Sequence, residues 1–349
     1  MNRYFTLDGL RGIAAVMVVF HHVGAVTPGA LRPASAYLAV DFFFLLSGFV
    51  IAKAYDARLR AHLSTATFMK IRVIRLYPLY LLALGLAMSK GLVGAAMGMS
   101  TIRPGELLGD FAFGAGMLPS PLTIGHPEDS ITPLNSPAWS LLMEMAINLA
   151  FAATFAVLMR GRLVLVVVLS GILLVYFGLS AGSLDVGRTW STLHVGLLRV
   201  TFSFLLGVAF SRYEVVLPGR TANWFFPTAF ALLACLICDP GPYRSLYDLG
   251  VVLFVFPAIL LLGASVQSHG QWCKALTLMG DVSYAIYIVH GPIIEALAAV
   301  QKHARSYALL TPGTAPILVC ALILLCLLLD RIYDLPVRRF LTARLARTT

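Results

Sequence analysis

The sequence predicts an all-α polytopic membrane protein, a bundle of about ten transmembrane helices with both termini in the cytoplasm. Three observations predict it. Hydrophobic residues make up 59% of the 349 and charged residues 12%, with a mean hydropathy of +0.85, a balance far too apolar for a soluble globule. Apolar runs long enough to span recur along the whole chain. Lys and Arg gather in alternate connections, as short cytoplasmic loops do.

The runs fall near residues 10–26, 37–54, 73–89, 139–159, 163–180, 194–211, 223–238, 248–266, 277–299 and 314–330. The first carries Arg11, His21 and His22 and has no small-residue cleavage site, so it reads as a retained helix and not a signal peptide. The N-terminus is then inside. With that orientation KAYDARLRAHLSTATFMKIRVIR, the Arg160 and Arg162 turn, the Arg212 and Arg220 loop and the tail RRFLTARLAR all face the cytoplasm, and the Lys302 to Arg305 loop goes against the pattern. The formal net charge of +10 is mostly this topology signal. A basic inner face also suits anionic lipids or a phosphorylated cofactor, whereas nucleic acid is not an expected partner.

Residues 1–349 read as one integral-membrane domain, with no appended soluble domain and a cytoplasmic tail from about 331 to 349. One connection, about 91–138, is long and rich in Gly and Pro, with Glu106, Asp110, Glu128 and Asp129. A loop of that length reads as a lid or substrate-contacting surface, or equally as a mobile spacer. Cys235 and Cys238 form a C-x-x-C inside an apolar helix without a partner pair, so they read as packing residues and no metal site is expected.

Arg11 and His22 are the most informative residues. Eleven residues at about 100° each return a helix to nearly the same direction, and the rise separates the two side chains by about 16 Å. A cation and a proton-transfer group then face one interior channel at two depths, and intramembrane ionisable residues usually mark a pathway or reaction site. Asp41, in VDFFFLLSGFVIAKAY, lies at matching depth on the antiparallel second helix. It is expected either to orient His22, as carboxylates do for catalytic imidazoles, or to cap its own helix. Ser47 and Gly48 allow close helix approach, and Phe42, Phe43 and Phe44 read as lipid-facing bulk.

Arg72 and Arg75, three apart in FMKIRVIRLYPLY, share a face at the inner mouth with Arg11 and Lys53. They read as a positive-inside anchor or, since guanidinium clusters suit phosphate, as a cofactor-binding layer. Pro78 is expected to kink that helix. In SPAWSLLMEMAINL, Trp139 starts a helix whose Ser140, Glu144 and Asn148 repeat at i, i+4 as a polar stripe, with Arg199 as the expected partner of Glu144. Ser283, Tyr287 and His290 form another stripe in GDVSYAIYIVHGPI. Expected catalytic residues are thus His22, Asp41 and Glu144, with His21 as second choice for the base. Substrate contacts are expected from Trp139, Ser140, Arg199, Ser283, Tyr287 and His290. An outer polar layer (His22, Asp41, Glu144, Arg199) over an inner basic layer suggests two substrates entering from opposite sides.

These residues resemble the membrane acyltransferase-3 family, the type that O-acetylates bacterial surface polysaccharides, from Leu7 to about Arg339. The resemblance rests on LDGLRG with ten residues between Arg11 and His22, VDFFFLLSGF, Arg72-Val-Ile-Arg75, PAWSLLME, GDVSYAIYIVH and the closing YDLPVRR, in family order. Ala39 stands where a Gly commonly precedes Val-Asp, and Asp334 where a Glu often precedes x-Pro. The resemblance implies transfer of an acyl group, acetyl first, from acyl-coenzyme A to a hydroxyl of a carbohydrate or related acceptor, with no permanently bound cofactor. It also implies residence in the bacterial cytoplasmic membrane and work beside proteins of polysaccharide synthesis. His22 is then a general base or an acyl relay. A transporter or flippase also carries buried charges, but no inverted repeat is visible. An inactive scaffold, or an acceptor that is a lipid or small secondary metabolite, completes the alternatives.

Overall fold

The computed structural model describes residues 3–98, 103–124, 129–158, 160–215, 225–265, 272–304 and 310–347. Glu128, Arg220 and Arg305 lie outside them. The described chain runs α1 (Phe5–Val26), α2 (Ala39–Arg60), α3 (Thr65–Ala96), α4 (Pro104–Ala115), α5 (Ala138–Ala153), α6 (Arg160–Ala181), α7 (Leu193–Arg212), α8 (Phe225–Ile237), α9 (Arg244–Gly250), α10 (Phe256–Ala264), α11 (Trp272–Ala304), α12 (Ala315–Leu329) and α13 (Leu335–Ala346). Among the described residues, eight continuous helices are long and apolar enough to cross a membrane, and α5 and α8 are shorter apolar helices. Together they coincide with the ten runs expected from hydropathy. Two spans are composite. A turn of π-helix at Val251–Val255 joins α9 to α10, and another at Asp330–Asp334 joins α12 to α13, so the expected tail is a helical extension.

Local chemistry sets the element ends. The Ser64 hydroxyl accepts the Thr67 amide at 3.1 Å and so caps α3. On α6, Val164, Leu165, Val168, Leu169 and Ile172 are exposed, as are Ile317, Leu324 and Leu328 on α12. These helices are apolar outward as well as inward, which only hydrocarbon surroundings reward.

Packing is closest between α2 and α7. A Cβ added to Gly48 would strike the Phe204 carbonyl, and one added to Gly207 the Leu45 carbonyl, so the backbones touch where each helix lacks a side chain. Phe42 and Phe44 are buried beside this crossing, and Phe43 lines an internal cavity. The Phe run therefore faces inward, contrary to expectation, because α2 is a central helix with little lipid contact. Gly48→Ala is expected to cost about 1–3 kcal/mol of stability by overpacking. Thermal unfolding in detergent checks this, and a wild-type transition would contradict it.

The connection 91–138 is neither bare nor loose where it is described. It contains α4, whose last turn accepts hydrogen bonds from Tyr77 and Tyr80 of α3 at 2.9 and 2.7 Å. Further on, Ser130 bridges Thr189, and the Trp190 indole donates to the Ser120 carbonyl at 2.8 Å. Buried Asp110 accepts the Ser120 hydroxyl, and burial pushes its carboxyl above the usual carboxylate range. The segment thus works as a strap that holds the α6–α7 connection in place.

Candidate active site

Three cavities lie in series along the bundle. The first, about 400 Å³, is lined by Arg3, Asp8, Arg11, Arg75 and Asp281. The second, about 230 Å³, shares Arg11 and Arg75 with it and adds Arg72, Glu144, Ser47, Ser140, Ser283 and Tyr287. The third, about 280 Å³, shares Val40 and Tyr287 with the second and adds His21, His22, Arg32, Trp139, Asp185, Arg188 and Arg199. Arginines line both ends of the series, but His21 and His22 line only the third cavity, the histidine end; the opposite end, with Arg3, Arg11 and Arg75, is the arginine end. As the spacing predicts, α1 presents Arg11 to the first two cavities and His22 to the third.

Arg11 is fully engaged. It pairs with Asp8 at 2.9 Å, one turn earlier on the same helix, and donates to the Ser283 hydroxyl at 3.0 Å and the Gly280 carbonyl at 2.7 Å. Arg72 pairs with Glu144 at 2.9 Å, and Glu144 also accepts the Ser47 hydroxyl at 2.8 Å. Arg75 lines the same two cavities and makes no hydrogen bond or ion pair among the described residues. Of the arginines expected to form a basic layer, Arg75 is thus the one without a direct partner, with the carboxylates of Asp330 and Asp334 within electrostatic reach. Lys53 is exposed and does not join them in lining these cavities. One helical turn can place a lysine at the right depth and still point it outward.

Two expected pairings are rearranged. Asp41 does not meet His22 and does not cap α2. It takes Arg199 in a two-pronged pair, Nε to Oδ1 at 3.1 Å and Nη2 to Oδ2 at 2.6 Å, both residues almost wholly buried. The guanidinium also donates to the Val186 and Tyr37 carbonyls at 2.7 and 3.3 Å and lies 5.3 Å over the Trp139 ring. Glu144, expected in the outer layer beside Arg199, sits instead with Arg72 in the middle cavity. Glu144 thus lies nearer the arginine end than expected, and Asp41 turns to α7 and not to α1.

His22 has a different neighbour. Its Nδ1 lies 2.9 Å from the Val18 carbonyl and 3.4 Å from Nε2 of His290, and the rings are 4.9 Å apart. A carbonyl oxygen can only accept, so this contact puts the proton on Nδ1 and leaves the lone pair on Nε2. His290 is fixed in the same way, its Nδ1 at 3.0 Å from the Ile286 carbonyl. His21 also lines the third cavity, its Nδ1 2.8 Å from the Pro33 carbonyl. Between the second and third cavities stands Tyr287, whose hydroxyl meets the Ser140 hydroxyl at 2.7 Å and the Pro137 carbonyl at 3.1 Å. The Ser283, Tyr287 and His290 stripe thus faces α1 and α5 in order, each member against a different site group. Asn148, the inner end of the α5 stripe, is buried with neither amide atom hydrogen-bonded among the described residues.

Sequence reasoning passed over Asp8 and Asp248. Asp8 stands three residues before Arg11 and was readable as its i, i+3 partner. Asp248 is wholly buried and accepts from the Tyr37 hydroxyl, the Ser183 hydroxyl and the Leu184 amide at 2.7, 3.1 and 2.8 Å. It pins two connections at the histidine end. A lone carboxylate in LYDLGVVLFVF was the available signal.

The fold and cavities describe a helical membrane protein whose interior holds cavities lined in part by charged and hydroxyl side chains. The chain belongs to the acyltransferase-3 family, whose profile, described as "Acyltransferase domain", matches residues 4–331. It is 38% identical over 182 residues to "Protein 2 in picA locus" of Rhizobium radiobacter, covering 50% of this chain and 93% of that one. It is 25% identical over 324 residues to acyltransferase MdmB of Streptomyces mycarofaciens, covering 83% and 79%. A Bacillus subtilis (strain 168) protein provisionally named peptidoglycan O-acetyltransferase YrhL is 24% identical over 331 residues, covering 86% of this chain and 50% of that one. No solved structure matches. The protein is therefore a membrane acyltransferase.

Proposed function

We propose that the protein moves an acyl group, acetyl first, from acyl-coenzyme A at the arginine end to a hydroxyl of a cell-surface carbohydrate or related acceptor at the histidine end. The observation that carries this reading is the order of the cavities. An unpaired guanidinium suited to phosphate opens the series, and an imidazole with a free Nε2 closes it. Arg75 anchors the phosphates of the donor, and its thioester arm extends past Tyr287 over about 16 Å, the rise from Arg11 to His22. The acceptor O–H gives its proton to His22 Nε2 while its oxygen attacks the thioester carbonyl. Collapse of the tetrahedral intermediate breaks the C–S bond, and the departing thiolate takes the proton back from His22. The imidazolium formed in between donates from Nδ1 to the Val18 carbonyl and toward His290, the support first expected from Asp41.

A carbohydrate acceptor is supported by the relative whose name describes O-acetylation of peptidoglycan. The basic inner connections support the bacterial cytoplasmic membrane with the arginine end inward. Purified protein in nanodiscs with radiolabelled acetyl-CoA tests the reading. Label appearing on a hydroxyl acceptor together with free CoA is expected; failure to bind acetyl-CoA overturns it. Arg75→Ala is expected to raise the donor KM about ten- to a hundredfold with kcat near wild type, as loss of a charged hydrogen bond does. An unchanged KM would rule out phosphate anchoring there. Arg72→Ala should act on kcat and folding instead, since it strands Glu144.

A further inference from the structure

We infer that the third cavity selects an acceptor carrying a negative charge, a carboxylate or a phosphate, close to the hydroxyl that is acylated. This rests on the proposed function and names the class of acceptor it would use. Among the residues that line the cavity the fixed charges do not balance, with the buried Asp248 carboxylate standing behind Tyr37 and outside the lining. Arg199 is neutralised by Asp41, and Arg188 by Asp185 at 2.9 Å. Arg32 lines the same cavity and makes no ion pair or hydrogen bond among the described residues. Its position is set by packing: a Cβ at Gly24 would meet the Arg32 Cβ at 2.6 Å, so the α1–α2 connection rests on α1 just beyond His22. His21 and His22 are held in the Nδ1–H form by carbonyls and contribute no negative charge.

An uncompensated guanidinium at the mouth of a low-dielectric cleft focuses a positive field into it and raises the local concentration of anions. With its planar fork, Arg32 is suited to a carboxylate or phosphate, and the half-exposed Arg188 stands ready as a second donor if Asp185 is displaced. At about 280 Å³ the cavity is just below the usual size of small-molecule sites, so at most one acidic sugar residue enters and a longer chain remains outside.

The test uses the full-length protein in nanodiscs at low salt, with methyl glucuronide, glucose 1-phosphate and methyl glucoside as binding probes by calorimetry. At least one anionic probe is expected to bind about tenfold tighter than methyl glucoside, the size of one charge-assisted contact. That preference is expected to disappear in Arg32→Gln, to survive in part in Arg32→Lys, and to weaken with added salt. Preference for the uronate over the phosphate, or the reverse, identifies the anion. Equal binding of all three probes, no binding of either anionic probe at millimolar concentration, or a preference unchanged in Arg32→Gln overturns the inference. Acetyl-CoA binding is measured on the same samples. Its loss in the wild type speaks against the acyl-CoA reading, whereas its retention without anion preference speaks against this inference alone.

Discussion

His22→Gln is expected to lower kcat for acyl transfer by about 10²–10⁴-fold, the range typical of a general base, with acetyl-CoA affinity near wild type. Glutamine nearly fills the imidazole's volume and keeps polar atoms in the third cavity, so lost rate would report lost basicity and not collapse. His22 does not line either cavity that carries Arg75, which is why donor binding should survive. Single-turnover kinetics with saturating labelled acetyl-CoA, alongside equilibrium donor binding, separates the two. His290→Gln is expected to give a smaller loss in kcat, because it removes the neighbour of Nδ1 while the Val18 carbonyl still orients the ring. A folded His22→Gln variant that transfers at the wild-type rate would remove the imidazole from the mechanism. If His21→Gln collapses transfer and His22→Gln does not, the base is His21.

Much of the architecture was legible because hydrocarbon imposes long apolar runs, and the ten runs reappear as the eight long and two shorter helices. The facing of Arg11 and His22 followed from helical period alone, as did the polar stripes of α5 and α11. What the sequence could not supply was rotation between helices. Asp41 was expected at the depth of His22, yet α2 turns its carboxylate to α7, where Gly48 and Gly207 let the backbones close on each other. Glu144 likewise meets α3 and not α7. The aromatic run Phe42 to Phe44 shows the same limit, since hydropathy does not distinguish a residue in lipid from one in a packed core. His290 was on the correct stripe, but its position against His22 depends on the α1–α11 packing, which composition does not encode.

Asp41→Ala is expected to destabilise the folded state by about 3–5 kcal/mol, because it strands a buried guanidinium. Arg199 is 1% exposed and Asp41 0%, so water cannot replace the lost partner. The Val186 and Tyr37 carbonyls still accept from Arg199, but they are neutral and leave the positive charge uncompensated. Those same bonds tie α7 to the α6–α7 connection and to the turn before α2, both of which line the cavity holding His22. Loss of the pair should therefore lower the yield of folded protein and loosen the histidine end, with the arginine end spared. Unfolding in bicelles followed by tryptophan fluorescence measures the first effect, and acetyl-CoA binding by the surviving folded fraction checks the second. The double variant Asp41→Leu with Arg199→Leu separates charge from packing. Replacing a buried ion pair by apolar side chains is often neutral, so the double variant should recover most of the stability. If it is as unstable as Asp41→Ala, the loss comes from disrupted packing and not from an unpaired charge.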